Sequence, residues 1–247
     1  MKNQSLIFGI HAVEARLKSE PESINSLHLL QQQRPNKRVV GLLELAIAHN
    51  ITVEDHSRKA LDEMVDGANH QGVIALCHDE VQHYDFKEFL KDIPANCLIL
   101  VLDGVQDPHN LGACLRSADA AGVDAVIVPK DQAVGITPTV RKVASGAAES
   151  VPFYTVTNLS RAMKSLQEQG VWLYGLAGEA GQSLYELDMT GSVALVLGAE
   201  GAGLRRLTRE NCDELCQIPM QGTVSSLNVS VATGICLFET RRQRIKR

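Results

Sequence analysis

The run Cys97-Leu-Ile-Leu-Val-Leu-Asp103-Gly104 constrains the fold more than any other stretch of the chain. Its apolar residues follow one another without the polar alternation of a strand that has one wet face. A continuous apolar strand of this kind is buried on both faces, as central strands of parallel sheets are. Such a sheet needs helices between its strands, and the sequence supplies them. Helical patterns cover 110–121, Pro138–Ala147, Leu159–Gln169 and Leu207–Cys212, with a final long helix from Leu227. Strand patterns cover Ala125–Val128, Phe153–Val156, Val171–Leu176, Val193–Leu197 and Leu215–Ile218. This alternation predicts a layered α/β domain with a parallel sheet.

A second alternation precedes it. Strands at Leu6–Phe8, Ser26–Leu30, Ile51–Glu54 and Val73–Cys77 enclose helices at His11–Lys18, Lys37–His49 and Ser57–Val65, which is enough for a small α/β domain. Between the two lies Asp79–Asn96, acidic, containing Pro94, with a short amphipathic helix around Phe86, Phe89 and Leu90. That composition suits a linker. The expected division is 1–77, linker 78–96, and 97–247.

No run approaches the roughly 20 apolar residues of a membrane span, and the N-terminus lacks the apolar core of a signal peptide. The expectation is a cytoplasmic protein with no membrane partner. Of the six cysteines only Cys212 and Cys216 are close, at i, i+4 spacing with no second ligand pair nearby, so no metal site is expected.

A net charge of −5 argues against a polyanionic partner until it is divided along the chain. Residues 76–96 carry five acidic and two basic side chains, more than half of the excess. The flanking parts are nearly neutral and hold basic clusters: Arg34, Lys37 and Arg38; Arg141 and Lys142; Arg205 and Arg206; and the tail Arg241, Arg242, Arg244, Lys246 and Arg247. Each alone reads as a solvated face, and together they leave polyanion binding open.

Three stretches place polar residues or glycines directly after an apolar strand, where open α/β sheets put their ligands. In DGVQDPHNLGACLR (103–116), Asn110 reads as the N-cap of the helix that carries Arg116, and Arg116 competes between a ligand and a salt bridge to Asp103 or Asp119. LVLGAEGAGL (195–204) resembles a nucleotide loop, but the third glycine of a dinucleotide fingerprint is replaced by Arg206. In IPMQGTVSSLNVSVATGICLFE (218–239), Ser225 or Ser226 reads as the N-cap of a helix with the buried stripe Leu227, Val231, Ile235 and Phe238.

NLGACLR, LVLGAEGAGL and IPMQGTVSSLNVSVATGICLFE, in that order and at those separations, resemble the three signature motifs of the SpoU (TrmH) class of 2′-O-ribose RNA methyltransferases. Ala113 stands where the broader pattern often has Ser or Thr, and no role attaches to it. The resemblance implies a C-terminal trefoil-knot (SPOUT) domain, an N-terminal domain like ribosomal RNA-binding modules of the L30e type, and a homodimer. It implies S-adenosylmethionine as cofactor, held by Leu197, Gly198, Ala199, Ile218, Met220 and Leu227. Asn110, Arg116, Glu200, Ser226 and Asn228 match the polar active-site positions. Asn110 and Asn228 are expected to orient Arg116 and the ribose, and Glu200 to fix the motif loops or Arg116. The implied reaction is methylation of a guanosine ribose in the peptidyl-transferase region of 23S ribosomal RNA, with another ribosomal or transfer RNA nucleotide as the alternative. Two other classes compete: a non-catalytic RNA-binding relative, against which the intact polar set speaks, and a nucleotide-dependent oxidoreductase, against which the failed glycine fingerprint speaks.

Overall fold

The computed structural model of the 247-residue chain describes residues 4–31, 37–78 and 85–245. Arg34, Lys246, Arg247 and residues 79–84 of the expected linker lie outside the described residues.

The chain begins with β1 (Gln4–Phe8), α1 (Ile10–Ser19), β2 (Ile24–Leu30), α2 (Lys37–Ala48), β3 (Thr52–His56), α3 (Arg58–Met64) and β4 (Val73–His78). These strands form a sheet in the order β1-β4-β2-β3, in which β2 and β3 are parallel and β4 runs antiparallel to β1 and β2. The two-residue period of β2 divides its side chains. Leu27 and Leu29 pack with Val13 and Leu17 of α1 and Val39 and Leu42 of α2, while Leu30 packs with Leu61 and Met64 of α3 on the other face.

The rest of the chain comprises α4 (Phe86–Lys91), β5 (Leu98–Asp103), α5 (Pro108–Ala121), β6 (Ala125–Pro129), α6 (Pro138–Ala144), α7 (Ala147–Ser150), β7 (Phe153–Val156), α8 (Leu159–Glu168), β8 (Trp172–Leu176), β9 (Gln182–Ser183), β10 (Val193–Gly198), α9 (Arg206–Glu210), β11 (Glu214–Gln217) and α10 (Val229–Ile245). Seven strands form an all-parallel sheet in the order β7-β6-β5-β10-β8-β11-β9. Every residue of β5 is buried, as its unbroken apolar run requires.

Two compact units result, one of residues 1–83 with 136–150, the other of 84–135 with 151–247. The first therefore includes α6 and α7, a single helix in the sequence reading. Ser145 (φ 54°) and Gly146 (φ 100°) break it in two. A Cβ at Gly146 would come within 2.8 Å of Ala15 Cβ on α1, so the break is also a close approach of the chain to α1 that a side chain would obstruct. In the second unit, α4 of the expected linker packs Phe86 and Phe89 against Tyr154, with the Phe89 and Tyr154 ring centroids 5.1 Å apart.

The C-terminal helix differs from its expected pattern. Its buried face is Val229, Thr233, Cys236, Leu237 and Thr240, packed on α5. Thr233 and Thr240 donate their hydroxyls to the carbonyls one turn back, at 2.8 and 3.0 Å, so they pass as apolar positions. The stripe Val231, Ile235, Phe238 is not buried; Val231 and Phe238 are about half exposed, at 51% and 52%. From β11 to α10 the chain travels through residues 218–228, beside the loops that follow β8 and β10. The expected knot falls on this passage.

Candidate active site

β10 lies between β5 and β8, which brings the three motif loops to one end of the sheet. The loop after β10 is held in a tight curl. Gly203 donates its N–H to the Ala199 carbonyl at 2.8 Å, and Gly201 and Gly203 take positive φ values of 76° and 64°. Gly198 has an ordinary φ but no room, since a Cβ there would overlap the Gly203 carbonyl and the Leu204 nitrogen. Across the loop's end, Arg205 bonds through its backbone N–H and its Nε to the buried carboxylate of Asp103, which closes β5.

A cavity of about 510 Å³ opens beneath this curl. All six residues expected to hold the cofactor line it: Leu197, Gly198, Ala199, Ile218, Met220 and Leu227. So do Glu200 and Ser226 from the expected polar set. The sequence reading missed one wall, the turn Ala177-Gly178-Glu179 after β8. It carries a glycine directly after an apolar strand, the same signal that marked the other loops. Arg209 of α9 forms an ion pair with Glu179 and so ties that turn to the glycine curl.

Three of the expected polar residues meet. Asn228 Nδ2 donates to Asn110 Oδ1 at 2.9 Å and to Glu200 Oε1 at 3.2 Å, while Asn110 Nδ2 donates to Glu200 Oε2 at 3.3 Å. Local structure explains how each is placed. The helix α5 starts at Pro108 with Asp107 as N-cap, accepting from His109 N–H at 2.8 Å, so Asn110 is not the cap and its side chain is released from the backbone. At α10 the expected cap was Ser225 or Ser226, but the helix starts at Val229. Asn228 caps it, its Oδ1 accepting from the Ser230 N–H at 2.9 Å and hydroxyl at 2.6 Å. The capping residue thereby spends its oxygen on the helix and its NH₂ on the cluster.

Arg116 stands apart from this triangle. Among the described residues it has no hydrogen bond or ion pair, its side chain is exposed, and the Asp103 suggested as its partner is held by Arg205. Glu200 bonds Asn110 and Asn228 of the motif loops and not Arg116. Burial pushes the Cys212 and Cys216 thiols up to about 12, so neither offers a thiolate at neutral pH.

The basic clusters largely resolve into internal pairs. Arg141 bonds Glu149, Arg205 Asp103, Arg206 Glu210, and Arg242 makes a bidentate pair with Glu239. Arg244 donates to the carbonyls of Met189, Asn96, Cys97 and Gly191. These five arginines are engaged within the fold, and Arg38 at the start of α2 lies 2.8 Å from His11 Nε2.

Residues 97–238 match the family model described as SpoU rRNA Methylase family, and residues 6–81 match the model described as RNA 2′-O ribose methyltransferase substrate binding. The chain belongs to the SpoU rRNA methylase family. Among similar SpoU proteins is one from Shewanella oneidensis named 23S rRNA (guanosine-2′-O-)-methyltransferase RlmB, 56% identical over 99% of each chain. A solved RNA 2′-O ribose methyltransferase superimposes with a TM-score of 0.82 at 27% identity, over 99% of this chain and 90% of the other. The SpoU methyltransferase AviRb from Streptomyces viridochromogenes, solved in complex with AdoMet, has a TM-score of 0.83 at 24% identity, over 99% and 92%.

Proposed function

We propose that this chain transfers a methyl group from S-adenosylmethionine to the ribose 2′-oxygen of a guanosine in 23S ribosomal RNA. The observation that carries the reading is the bonding of a cavity wall, through Glu200, to the Asn110–Asn228 pair. The near full-length identity to a relative named for that reaction supplies the substrate.

The residues present fit the cofactor. The cavity has the size of a small-molecule site. Leu197, Leu204, Ile218 and Leu227 give it apolar walls suited to a flat heteroaromatic ring, and the curl from Gly198 to Gly203 brings backbone rather than side chains to the ligand. When bound, S-adenosylmethionine supplies a sulfonium methyl, an electrophile that needs no metal. A ribose hydroxyl is a weak nucleophile, so the protein must orient it and manage its proton. Asn110 and Asn228, locked to each other and to Glu200, form a rigid polar edge for that task. The guanidinium of Arg116 is a planar, positively charged group whose forked donors match phosphate oxygens. It is free to hold a phosphate beside the reacting ribose and to stabilise developing negative charge.

The N-terminal division, 1–77, is proposed to select the RNA, in line with the substrate-binding model that matches residues 6–81. The second unit is proposed to pair with a second copy through α10. Val231, Phe238 and Ile245 recur every seven residues and are exposed large hydrophobics, a seam that a second α10 would cover. Phe238→Glu should shift the sedimentation coefficient to that of a monomer.

The central test is single-turnover transfer from labelled S-adenosylmethionine to 23S RNA, with the modified nucleotide mapped. Methyl on a guanosine 2′-oxygen is expected. Arg116→Ala should keep its unfolding midpoint, because the side chain has no partner to lose among the described residues, and should lose transfer. Preserved transfer in that variant would show that Arg116 has no part in the reaction.

A further inference from the structure

We infer that the N-terminal sheet carries a zinc(II) site built from His28, Glu54 and His56. The three residues converge because of strand register. β2 and β3 are parallel with His28 opposite Glu54, and His56 lies two residues beyond Glu54 on the same face. Their ligand atoms form a compact triangle: His28 Nδ1 to His56 Nε2 is 2.9 Å, His28 Nδ1 to Glu54 Oε2 3.6 Å, and His56 Nε2 to Glu54 Oε2 3.4 Å. The point equidistant from the three atoms lies about 1.9 Å from each, close to the ~2.0–2.2 Å of zinc–nitrogen and zinc–carboxylate bonds. An ion slightly out of their plane would meet all three at bonding distance with little movement.

The surroundings are those of a ligating histidine. His28 is 5% exposed, and its remote Nε2 lies 3.0 Å from Ser26 Oγ. A proton on Nε2, donated to that hydroxyl, leaves the Nδ1 lone pair facing the cluster, the outer-shell arrangement that fixes the tautomer of metal-bound histidines. Two imidazoles and one carboxylate are the donor set of a three-ligand zinc site with a fourth position for water. Glu54 is half exposed on β3, an edge strand, so that fourth position faces solvent. The ion would tie β3 to β2. Cysteine spacing could not reveal it, because the ligands are joined by register across 26 residues and not by a local motif.

The test uses the full-length protein, stripped with a chelator and titrated with zinc(II) in competition with a chromophoric chelator, then separately with cobalt(II). One equivalent should bind, and the cobalt form should show the intense visible bands of a four-coordinate nitrogen and oxygen site with no thiolate charge-transfer band. His56→Ala and Glu54→Gln, chosen because both side chains are partly exposed, should each weaken zinc binding by at least the ~10–100-fold seen for outer-shell changes. Zinc should raise the thermal midpoint of the wild type and not of these variants. Affinity unchanged in both variants, a thiolate band, or no saturable equivalent at micromolar zinc would overturn the site.

Discussion

Arg205 donates its backbone N–H at 3.0 Å and its Nε at 2.6 Å to one buried carboxylate, that of Asp103. The pair ties the end of β5 to the end of the glycine curl, 102 residues later. The two partners are not equivalent, since the Asp103 side chain is wholly buried and that of Arg205 is 45% exposed. Arg205→Ala strands a buried carboxylate with only the backbone donor and should cost on the order of 3 kcal/mol. Asp103→Asn removes the charge and releases Arg205 to water, and should cost about 1–2 kcal/mol. Urea unfolding should rank them in that order, and both should weaken S-adenosylmethionine binding because the curl is a cavity wall. A larger loss for Asp103→Asn would mean that the carboxylate has partners other than Arg205.

Gly198 and Gly201 make a second contrast in the same curl. At Gly198 an added Cβ meets backbone atoms of Gly203 and Leu204, which cannot rotate aside. At Gly201 the φ of 76° is strained for alanine, but nothing lies within 4 Å of the added atom. Gly198→Ala should therefore displace the curl, costing about 1–3 kcal/mol and at least a tenfold loss of cofactor affinity by calorimetry. Gly201→Ala should cost about 1 kcal/mol and leave affinity within a few-fold. Equal affinities in the two variants would show that the position of the curl does not shape the pocket.

Much of this site is legible before any coordinates. An unbroken apolar run identifies β5, and polar or glycine residues after apolar strands mark the loops that converge. What the sequence hides follows from physical degeneracy. Helix α10 has two usable stripes, and the more apolar one, through Val231 and Phe238, is the exposed one. The buried one contains Thr233 and Thr240, whose hydroxyls are satisfied within the helix. Caps are ambiguous for a related reason: Ser225, Ser226 and Asn228 are all competent, and the contact of Asn228 with Asn110 and Glu200 accompanies its role as the cap. The His28, Glu54 and His56 cluster depends on β2–β3 register, which no local pattern encodes.

The double use of Asn228 allows its two roles to be separated. Aspartate caps helices as well as asparagine does, so Asn228→Asp should keep the bonds to Ser230. It would also set a carboxylate oxygen where Nδ2 now donates, facing Asn110 Oδ1 and Glu200 Oε1. Repulsion there should splay the motif loops. The expected result is a helix stability within about 1 kcal/mol of wild type and a single-turnover rate lower by ~100-fold, as for other small misplacements of an aligning group. Asn228→Ser keeps the cap, loses the donors and adds no charge, and should fall between. Transfer at the wild-type rate in the aspartate variant would remove the cluster from the mechanism.

The stability of the N-terminal unit should also depend on pH through His28. Burial pulls its pKa below the ordinary value near 6.5, Glu54 acts in the opposite direction, and His56 adds to the lowering. The folded protein then binds fewer protons at this ring than the unfolded chain. The stability it contributes is complete above the unfolded pKa and is lost as pH falls through the folded one. With a chelator present to exclude metal, the thermal midpoint of the wild type should fall more steeply between pH 7.5 and pH 5 than that of His28→Gln, which cannot titrate there. The other histidines are common to both proteins, so the difference between the curves isolates His28. Parallel curves would mean that His28 titrates alike in the folded and unfolded chain, and a wild type that gains on the variant as pH falls would mean that the fold favours its charged form.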